Sequence, residues 1–262
     1  MGKQRLDQAF AKVLEDGDKA FVPYIMAGDG GLDQLENRLQ FLEESGATVV
    51  ELGIPFSDPV ADGPTIQAAG LRALEHGVSL RAVLDELKRI KEKRTIPVVL
   101  MTYMNPIYAV GVKDFAKECD EAGVDGLIIP DLPLEEETII TEEIKAHDIA
   151  LIRLAALTST KERLVEIAKR TEGFLYAVTV TGTTGARSEF KQNLATHLQE
   201  LKQICEAPVL AGFGVSTPEH VKELSQYCDG VVVGSRIVDL LHNNDKETIR
   251  ELVGSARKMK SV

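Results

Sequence analysis

The stretch Gly230-Val231-Val232-Val233-Gly234-Ser235 decides the fold, because three consecutive β-branched residues lie between glycines and lead directly into an amphipathic segment. Apolar runs without polar alternation are expected where a parallel strand is buried on both faces. Leu127-Ile128-Ile129 has the same character. Along the chain, short apolar runs of this kind alternate with longer amphipathic stretches, which predicts a parallel sheet with helical crossovers.

Eight such apolar runs are candidate strands. They are Ala20–Met26, Val49–Ile54, Val98–Tyr103, Gly126–Pro130, Ala150–Ala155, Phe174–Val180, Val209–Gly212 and Gly230–Val233. Eight strand–helix units in 262 residues match the size of an α/β protein of the closed (β/α)8, or TIM barrel, class. An open doubly wound sheet is the alternative. Leu6–Leu14 predicts an extra N-terminal helix that covers the bottom of the barrel, and the absence of a linker predicts a single domain over residues 1–262.

The charge balance limits the partners and the form of the ligand site. The chain has 30 Lys and Arg against 41 Asp and Glu, a net charge of −11. The negative electrostatic field of such a chain repels nucleic acid and anionic membranes, so neither is expected as a partner. A small anionic substrate would have to be bound locally, by backbone N–H groups or a helix N-terminus.

Cysteine usage and the N-terminus predict a cytoplasmic protein. The three cysteines, Cys119, Cys205 and Cys228, are widely spaced and include no CxxC pair, which is typical of reduced thiols rather than disulfides or a zinc site. Neither a signal-peptide core nor an apolar run of membrane-spanning length is found in the sequence.

Two carboxylates stand out at the predicted C-terminal ends of the strands, the face where barrels of this class bind and react with their ligands. Glu51 interrupts the otherwise apolar run of the second strand, and Asp62 lies in the polar loop that follows. Burial would favour the neutral form of Glu51 and make it a proton donor and acceptor near neutral pH. A structural Glu paired with a neighbouring Arg or a backbone donor, and an Asp that serves only a turn, are the alternatives. Together the two could be a pair in which one moves protons and the other stays ionised.

The last two strand ends favour a phosphate site. Gly214 follows the seventh strand, and Gly234 and Ser235 follow the eighth, each where a helix begins. Glycine allows close approach of the backbone to an anion, and helix N-termini supply N–H donors. After the sixth strand, the small-residue stretch 181–188 predicts a mobile lid, with a plain solvated loop as the alternative.

Residue types that are missing at the strand ends exclude other chemistry. No His lies there, which argues against a His-based triad or metal cluster, and no Lys lies there, which argues against a Schiff-base aldolase. No GxGxxG fingerprint is present. The sequence therefore predicts chemistry on carboxylates, with neither a cofactor nor a metal in this chain.

One long segment resembles the signature of the tryptophan synthase alpha subunit family: Glu51-Leu52-Gly53-Ile54-Pro55-Phe56-Ser57-Asp58-Pro59-Val60-Ala61-Asp62-Gly63-Pro64-Thr65-Ile66-Gln67. The resemblance continues along essentially the whole chain. Further matching segments are Phe21-Val22-Pro23-Tyr24, Tyr103-Met104-Asn105-Pro106, Pro130-Asp131-Leu132-Pro133, Thr183-Thr184-Gly185-Ala186 and Gly212-Phe213-Gly214-Val215-Ser216.

The resemblance implies a lyase that splits indole-3-glycerol phosphate into indole and glyceraldehyde 3-phosphate by a retro-aldol reaction. Glu51 matches the general acid/base of the family, Asp62 the carboxylate facing the indole N–H, and Thr184 the lid threonine that reaches toward that carboxylate. The phosphate-binding positions match Gly185, Gly214, Gly234 and Ser235. The positions lining the indole pocket match Tyr24, Met101, Ile128, Tyr176 and Phe213.

The resemblance also implies a partner. The family pairs with a beta subunit in an αββα heterotetramer and passes indole to it through an internal passage. Asp58 and Pro59 lie on the loop expected to face that subunit, and pyridoxal phosphate is expected in the partner rather than in this chain. The remaining alternatives are another phosphate-binding barrel isomerase, which would not require Glu51 and Asp62 together, and a non-catalytic chain that binds a ligand and regulates a partner enzyme.

Overall fold

The eight predicted strands form a closed parallel barrel in chain order, β1 to β8, in the computed structural model, which describes residues 2–178, 187–212 and 214–257. The strands are β1 (Ala20–Met26), β2 (Val50–Gly53), β3 (Val98–Met101), β4 (Gly126–Ile128), β5 (Ala150–Ala156), β6 (Leu175–Val178), β7 (Val209–Gly212) and β8 (Gly230–Val233). β1 pairs with β8 in parallel register, Ala20 opposite Gly230, and this pairing closes the barrel. The TIM-barrel prediction is therefore confirmed, and the open-sheet alternative is wrong.

Helices surround the barrel between successive strands. In the described part of the chain they are α1 (Lys3–Glu15), α2 (Leu35–Ser45), α3 (Pro64–Glu75), α4 (Leu80–Arg89), α5 (Met104–Val110), α6 (Val112–Ala122), α7 (Thr138–Ala146), α8 (Lys161–Arg170), α9 (Arg187–Ile204), α10 (Pro218–Leu224), α11 (Ser235–His242) and α12 (Lys246–Gly254). Several of these helices begin at residues that are suited to the first turn of a helix. Thr160 caps α8 by accepting a hydrogen bond from the N–H of Arg163, and Pro64 occupies the first turn of α3, where its missing N–H costs nothing.

Helix α1 covers the N-terminal end of the barrel, as predicted. Its Leu6 is fully buried beside Gly126, and the ring of Phe10 packs against Phe174 with centroids 5.4 Å apart. The guanidinium of Arg5 binds Asp125 through Nε to Oδ1 at 2.9 Å and Nη2 to Oδ2 at 2.5 Å. These contacts seal the end of the barrel opposite to the predicted site.

Three strands end earlier than predicted. Tyr103 leaves β3 and precedes α5, where the N–H of Met104 is bound by the carboxylate of Asp131 at 3.1 and 3.2 Å. β4 ends two residues before Pro130, which has no N–H to donate to a neighbouring strand. β2 ends one residue early, at Gly53.

Candidate active site

A cavity of about 710 Å³ opens at the C-terminal ends of the barrel strands. Its floor consists of inward-facing strand side chains, and its rim of loop residues. The residues that line it are Tyr24, Glu51, Ala61, Asp62, Gly63, Ile66, Met101, Ile128, Pro130, Leu154, Tyr176, Val178, Gly214, Val215, Ser216, Val232, Gly234, Ser235 and Arg236. The structure thus brings together the two predicted carboxylates, four predicted wall residues and three predicted phosphate-site residues in one space.

Glu51 is a carboxyl in an apolar environment. It lies in β2 opposite Tyr24 on β1 and Val99 on β3, and only 4% of its surface is exposed. Its Oε2 is buried and makes no hydrogen bond to any described residue. Burial, followed by the nearby negative charge of Asp62, raises the pKa of Glu51 to about 8. At neutral pH the protonated form of this side chain is therefore favoured.

Asp62 is held at the rim of the cavity by one hydrogen bond to its backbone and another to its side chain. Its backbone carbonyl accepts a hydrogen bond from Gln67 Nε2 at 2.8 Å, which ties it to the first turn of α3. Its carboxylate is hydrogen-bonded to the hydroxyl of Tyr103. Burial raises the pKa of Asp62, and the hydrogen bond from Tyr103 opposes that rise. The two carboxyls are therefore in different environments: Glu51 has one buried oxygen without a described partner, whereas Asp62 has a hydroxyl donor.

Tyr103 is a site residue that sequence reasoning did not single out. It is buried at the end of β3, and its hydroxyl accepts a hydrogen bond from the N–H of Ala61 at 3.2 Å while it bonds to Asp62. Its ring packs against Phe56, with centroids 5.4 Å apart. Tyr103 therefore fixes the loop that carries Asp62. The available signal was its position as the last residue of the predicted strand Val98–Tyr103.

The predicted wall residues Tyr24, Met101, Ile128 and Tyr176 all face the cavity. Two glycines make room for the tyrosines. The hydroxyl of Tyr24 lies directly over Gly53 and the ring of Tyr176 over Gly212, so closely that a side chain at either glycine would collide with the tyrosine. The result is a mostly apolar, partly aromatic wall with room for a planar ring.

The predicted phosphate-site residues follow β7 and β8, and β8 pairs with β1, the strand that carries Tyr24. Gly214 has a φ of 77°, in the left-handed region that favours glycine. Gly234 is the N-cap of α11, and its carbonyl accepts the first helical hydrogen bond, from Val238. The backbone N–H groups from Ser235 to the residue before Val238 lie in the first turn of this helix. They therefore have no carbonyl acceptor within the helix. Such a helix end is suited to an anion.

The other predicted residues lie outside the cavity or outside the described part of the chain. Asp58 is exposed and Pro59 partly exposed, on the loop between β2 and α3. Thr184, Gly185 and Phe213, with most of the predicted lid, lie outside the described residues and remain predictions.

Several lining residues were missed because the sequence does not mark them. Leu154 and Val178 are ordinary apolar residues of strands, and only the barrel geometry distinguishes inward from outward positions. Ser216 and Arg236 follow predicted strand ends by two or more residues, so the signal was present but weak.

No group of three or more His, Cys, Asp or Glu side chains in residues 2–178, 187–212 and 214–257 is arranged to hold a metal ion. Within the same ranges, no helix has both the length and the apolar character needed to cross a membrane.

The fold and the cavity define the class: a TIM-barrel protein with its ligand site at the C-terminal ends of the strands, where enzymes of this fold have their active sites. A family model described as tryptophan synthase alpha chain matches residues 10–262. The chain belongs to the tryptophan synthase alpha chain family, which is part of tryptophan biosynthesis. The resemblance of the signature segment is thereby confirmed.

Individual relatives and solved structures agree with this assignment. The chain is 57% identical over 253 residues to the tryptophan synthase alpha chain of Oceanobacillus iheyensis, covering 97% of each chain. It is 51% identical over 257 residues to that of a Bacillus cereus strain, covering 98% of each. The structure of tryptophan synthase subunit alpha from Legionella pneumophila has a TM-score of 0.87 at 33% identity, over 98% of this chain and 97% of that one. A chain of Mycobacterium tuberculosis tryptophan synthase has a TM-score of 0.89 at 33% identity, over 98% and 100%.

Proposed function

We propose that this chain is a carbon–carbon lyase that cleaves indole-3-glycerol phosphate into indole and glyceraldehyde 3-phosphate by a retro-aldol reaction. The observation that carries the proposal is the state of Glu51. It is a buried carboxyl with a pKa of about 8 in an apolar cavity that also contains a second carboxylate and a helix N-terminus. Family membership supports the choice of substrate.

In the proposed reaction Glu51 acts first as acid and then as base. It donates its proton to the ring carbon that bears the side chain, which places a positive charge on the ring nitrogen. Asp62 accepts a hydrogen bond from the ring N–H and stabilises that charge. The carbon–carbon bond then breaks, and its electron pair restores the indole ring. The side-chain hydroxyl returns its proton to Glu51 and becomes the aldehyde, so the carboxyl is regenerated.

The rest of the cavity is proposed to bind and orient the substrate. The planar ring would lie against Tyr24, Met101, Ile128 and Tyr176, whose faces are apolar. The phosphate would be bound by backbone N–H groups at Gly214, Gly234 and Ser235. Binding by the backbone suits a chain whose net charge of −11 repels anions at long range.

The loop that carries Asp58 and Pro59 is the proposed docking face for a tryptophan synthase beta subunit in an αββα heterotetramer. Val60 on this loop is 81% exposed, and Tyr108 on α5 is 53% exposed. Apolar side chains exposed to this extent are typical of a partner surface. Indole would pass from the cavity to the beta subunit. Pyridoxal phosphate, which supplies the chemistry that consumes indole, would be bound there and not in this chain.

The proposed setting is the cytoplasm, with the chain acting as one domain over residues 1–262. The thiols of Cys119, Cys205 and Cys228 are free, as a reducing compartment would keep them.

The test is release of glyceraldehyde 3-phosphate from indole-3-glycerol phosphate by the purified chain, with and without a beta subunit. The Glu51→Gln variant should release none above background, while Glu75→Gln, which changes an exposed Glu on α3, should match the unmodified chain. Release that rises with the partner supports both the reaction and the docking face. Absence of release with a competent beta subunit would overturn the proposal in favour of a non-catalytic regulator.

A further inference from the structure

The hydroxyl of Tyr24 is a buried polar group without a described partner. Only 5% of the residue is exposed, and its hydroxyl oxygen makes no hydrogen bond to any described residue. The hydroxyl of Tyr103 is by contrast bonded to both Ala61 and Asp62. A buried hydroxyl without a partner destabilises the folded chain, and a phenylalanine at position 24 would avoid this cost.

The Tyr24 hydroxyl is also fixed in place. It lies against the Cα of Gly53, where no other residue would leave it room, and the ring stands on β1, a rigid element buried along its whole length. Rotation of the ring therefore does not take the hydroxyl to solvent. Any hydrogen-bond acceptor or donor for the Tyr24 hydroxyl must therefore approach it where it is fixed.

Glu51 presents a second such group beside it. Tyr24 and Glu51 are directly opposite each other on β1 and β2, so both side chains face the cavity, and Glu51 Oε2 likewise has no described partner. Paired positions on neighbouring strands thus supply two such buried oxygens, one on a phenol and one on a carboxyl. Together they are complementary to a group that can accept one hydrogen bond and donate another. An alcohol is such a group.

We infer that Tyr24 and Glu51 together bind one hydroxyl of the ligand's side chain, with the Tyr24 phenol donating to the hydroxyl oxygen and the hydroxyl donating to Glu51 Oε2. The inference rests on the proposed function, because it assigns a hydroxyl of the substrate. Tyr24 is then more than an apolar wall. It selects ligands that carry a side-chain hydroxyl, and it directs the proton of that hydroxyl toward the group that removes it.

The experiment compares two ligands that differ in those hydroxyls. Indole-3-glycerol phosphate carries them, whereas indole-3-propanol phosphate keeps the ring, the phosphate and the chain length without them. In Tyr24→Phe, kcat/KM for indole-3-glycerol phosphate should fall about tenfold, while the inhibition constant of indole-3-propanol phosphate should change by less than twofold. The midpoint of urea unfolding should stay the same or rise. Tyr227→Phe removes a hydroxyl from a partly buried tyrosine outside the cavity lining and should change neither constant.

The outcomes separate this inference from the proposed function. Equal effects of Tyr24→Phe on both ligands, or no effect on either, would overturn the assignment of Tyr24 while the unmodified chain still cleaves its substrate. An unmodified chain that neither binds nor cleaves indole-3-glycerol phosphate would overturn both. Loss of folding in Tyr24→Phe would show that the hydroxyl has a structural partner, and would also contradict the inference.

Discussion

Buried charge is arranged differently at the two ends of the barrel. At the N-terminal end, the carboxylate of Asp125 is fully buried and accepts hydrogen bonds from Arg5 and from the N–H of Val98 at 2.8 Å. At the C-terminal end, Glu51 is equally buried but its Oε2 has no described partner. The first arrangement compensates the charge with donors, which stabilises the fold. The second leaves the carboxyl protonated and available to a ligand, at a cost in stability that is typical of active sites.

The first prediction tests the C-terminal end. Glu51→Gln should lower turnover by about 10³-fold or more, because the amide cannot donate and recover a proton. The steady-state rate of glyceraldehyde 3-phosphate release measures this. The thermal midpoint should not fall, because the substitution removes a buried ionisable group that has no described partner. A variant with unchanged turnover would remove Glu51 from the mechanism.

The second prediction tests the N-terminal end and should have the opposite pattern. Asp125→Ala leaves the Arg5 guanidinium and the Val98 N–H without their acceptor, which should cost about 3–5 kcal/mol of unfolding free energy. Turnover of the fraction that remains folded should be unchanged. Urea titration and activity at low temperature check the two parts. A large loss of turnover in fully folded protein would mean that the two ends are not separate.

The third prediction concerns the partnered carboxylate at the active end. Asp62→Asn should lower turnover by about 10²-fold, because a neutral amide stabilises the positive ring nitrogen far less. Stability should change little, since Asp62 lies in a half-exposed loop. The urea midpoint and the turnover number are the measurements. A variant that fails to fold would show that the loop carboxylate supports the structure.

The fourth prediction is a pH dependence that only the C-terminal end should produce. Because the folded pKa of Glu51 is raised from 4.5 to about 8, the folded chain retains this proton in a range where the unfolded chain has lost it. Its contribution to stability is thus full below pH 4.5 and is lost as the pH rises through about 8. Urea unfolding of the unmodified chain should weaken across this range relative to Glu51→Gln. In parallel, kcat/KM should fall above about pH 8, since the proton donor is lost. Parallel stability curves for the two proteins would contradict the raised pKa.

The smallest effect is expected at Tyr103. Tyr103→Phe keeps the ring against Phe56 but removes the hydroxyl that bonds to Asp62, and turnover should fall by about three- to tenfold. In an Asp62→Asn background the same substitution should have a smaller effect, because it acts through that carboxylate. Full additivity of the two substitutions would show that Tyr103 has a separate role.

The barrel and the two carboxylates could be predicted from the sequence because each leaves a local pattern. Apolar runs that alternate with amphipathic stretches specify a parallel sheet, and a Glu inside such a run is conspicuous. Tyr103 left a weaker signal, since its partners Ala61 and Asp62 belong to another strand–helix unit. Leu154 is identical in type to outward-facing leucines, and only the closure of the barrel determines which side it faces. Features that depend on local sequence can thus be predicted from the sequence. Contacts between residues of different strand–helix units can be identified only once the fold is known.

The seal formed by α1 has a consequence for the order in which the chain folds during synthesis. Arg5 binds Asp125, 120 residues later in the chain, and Phe10 packs on Phe174, later still. Helix α1, which is synthesised before β4 to β6, therefore has an apolar face whose contacts do not exist until those strands have been made. Because closing so long a loop is entropically costly before the barrel is assembled, α1 should dock late, and its exposed Leu6 and Phe10 make the nascent chain a candidate for chaperone binding during that interval.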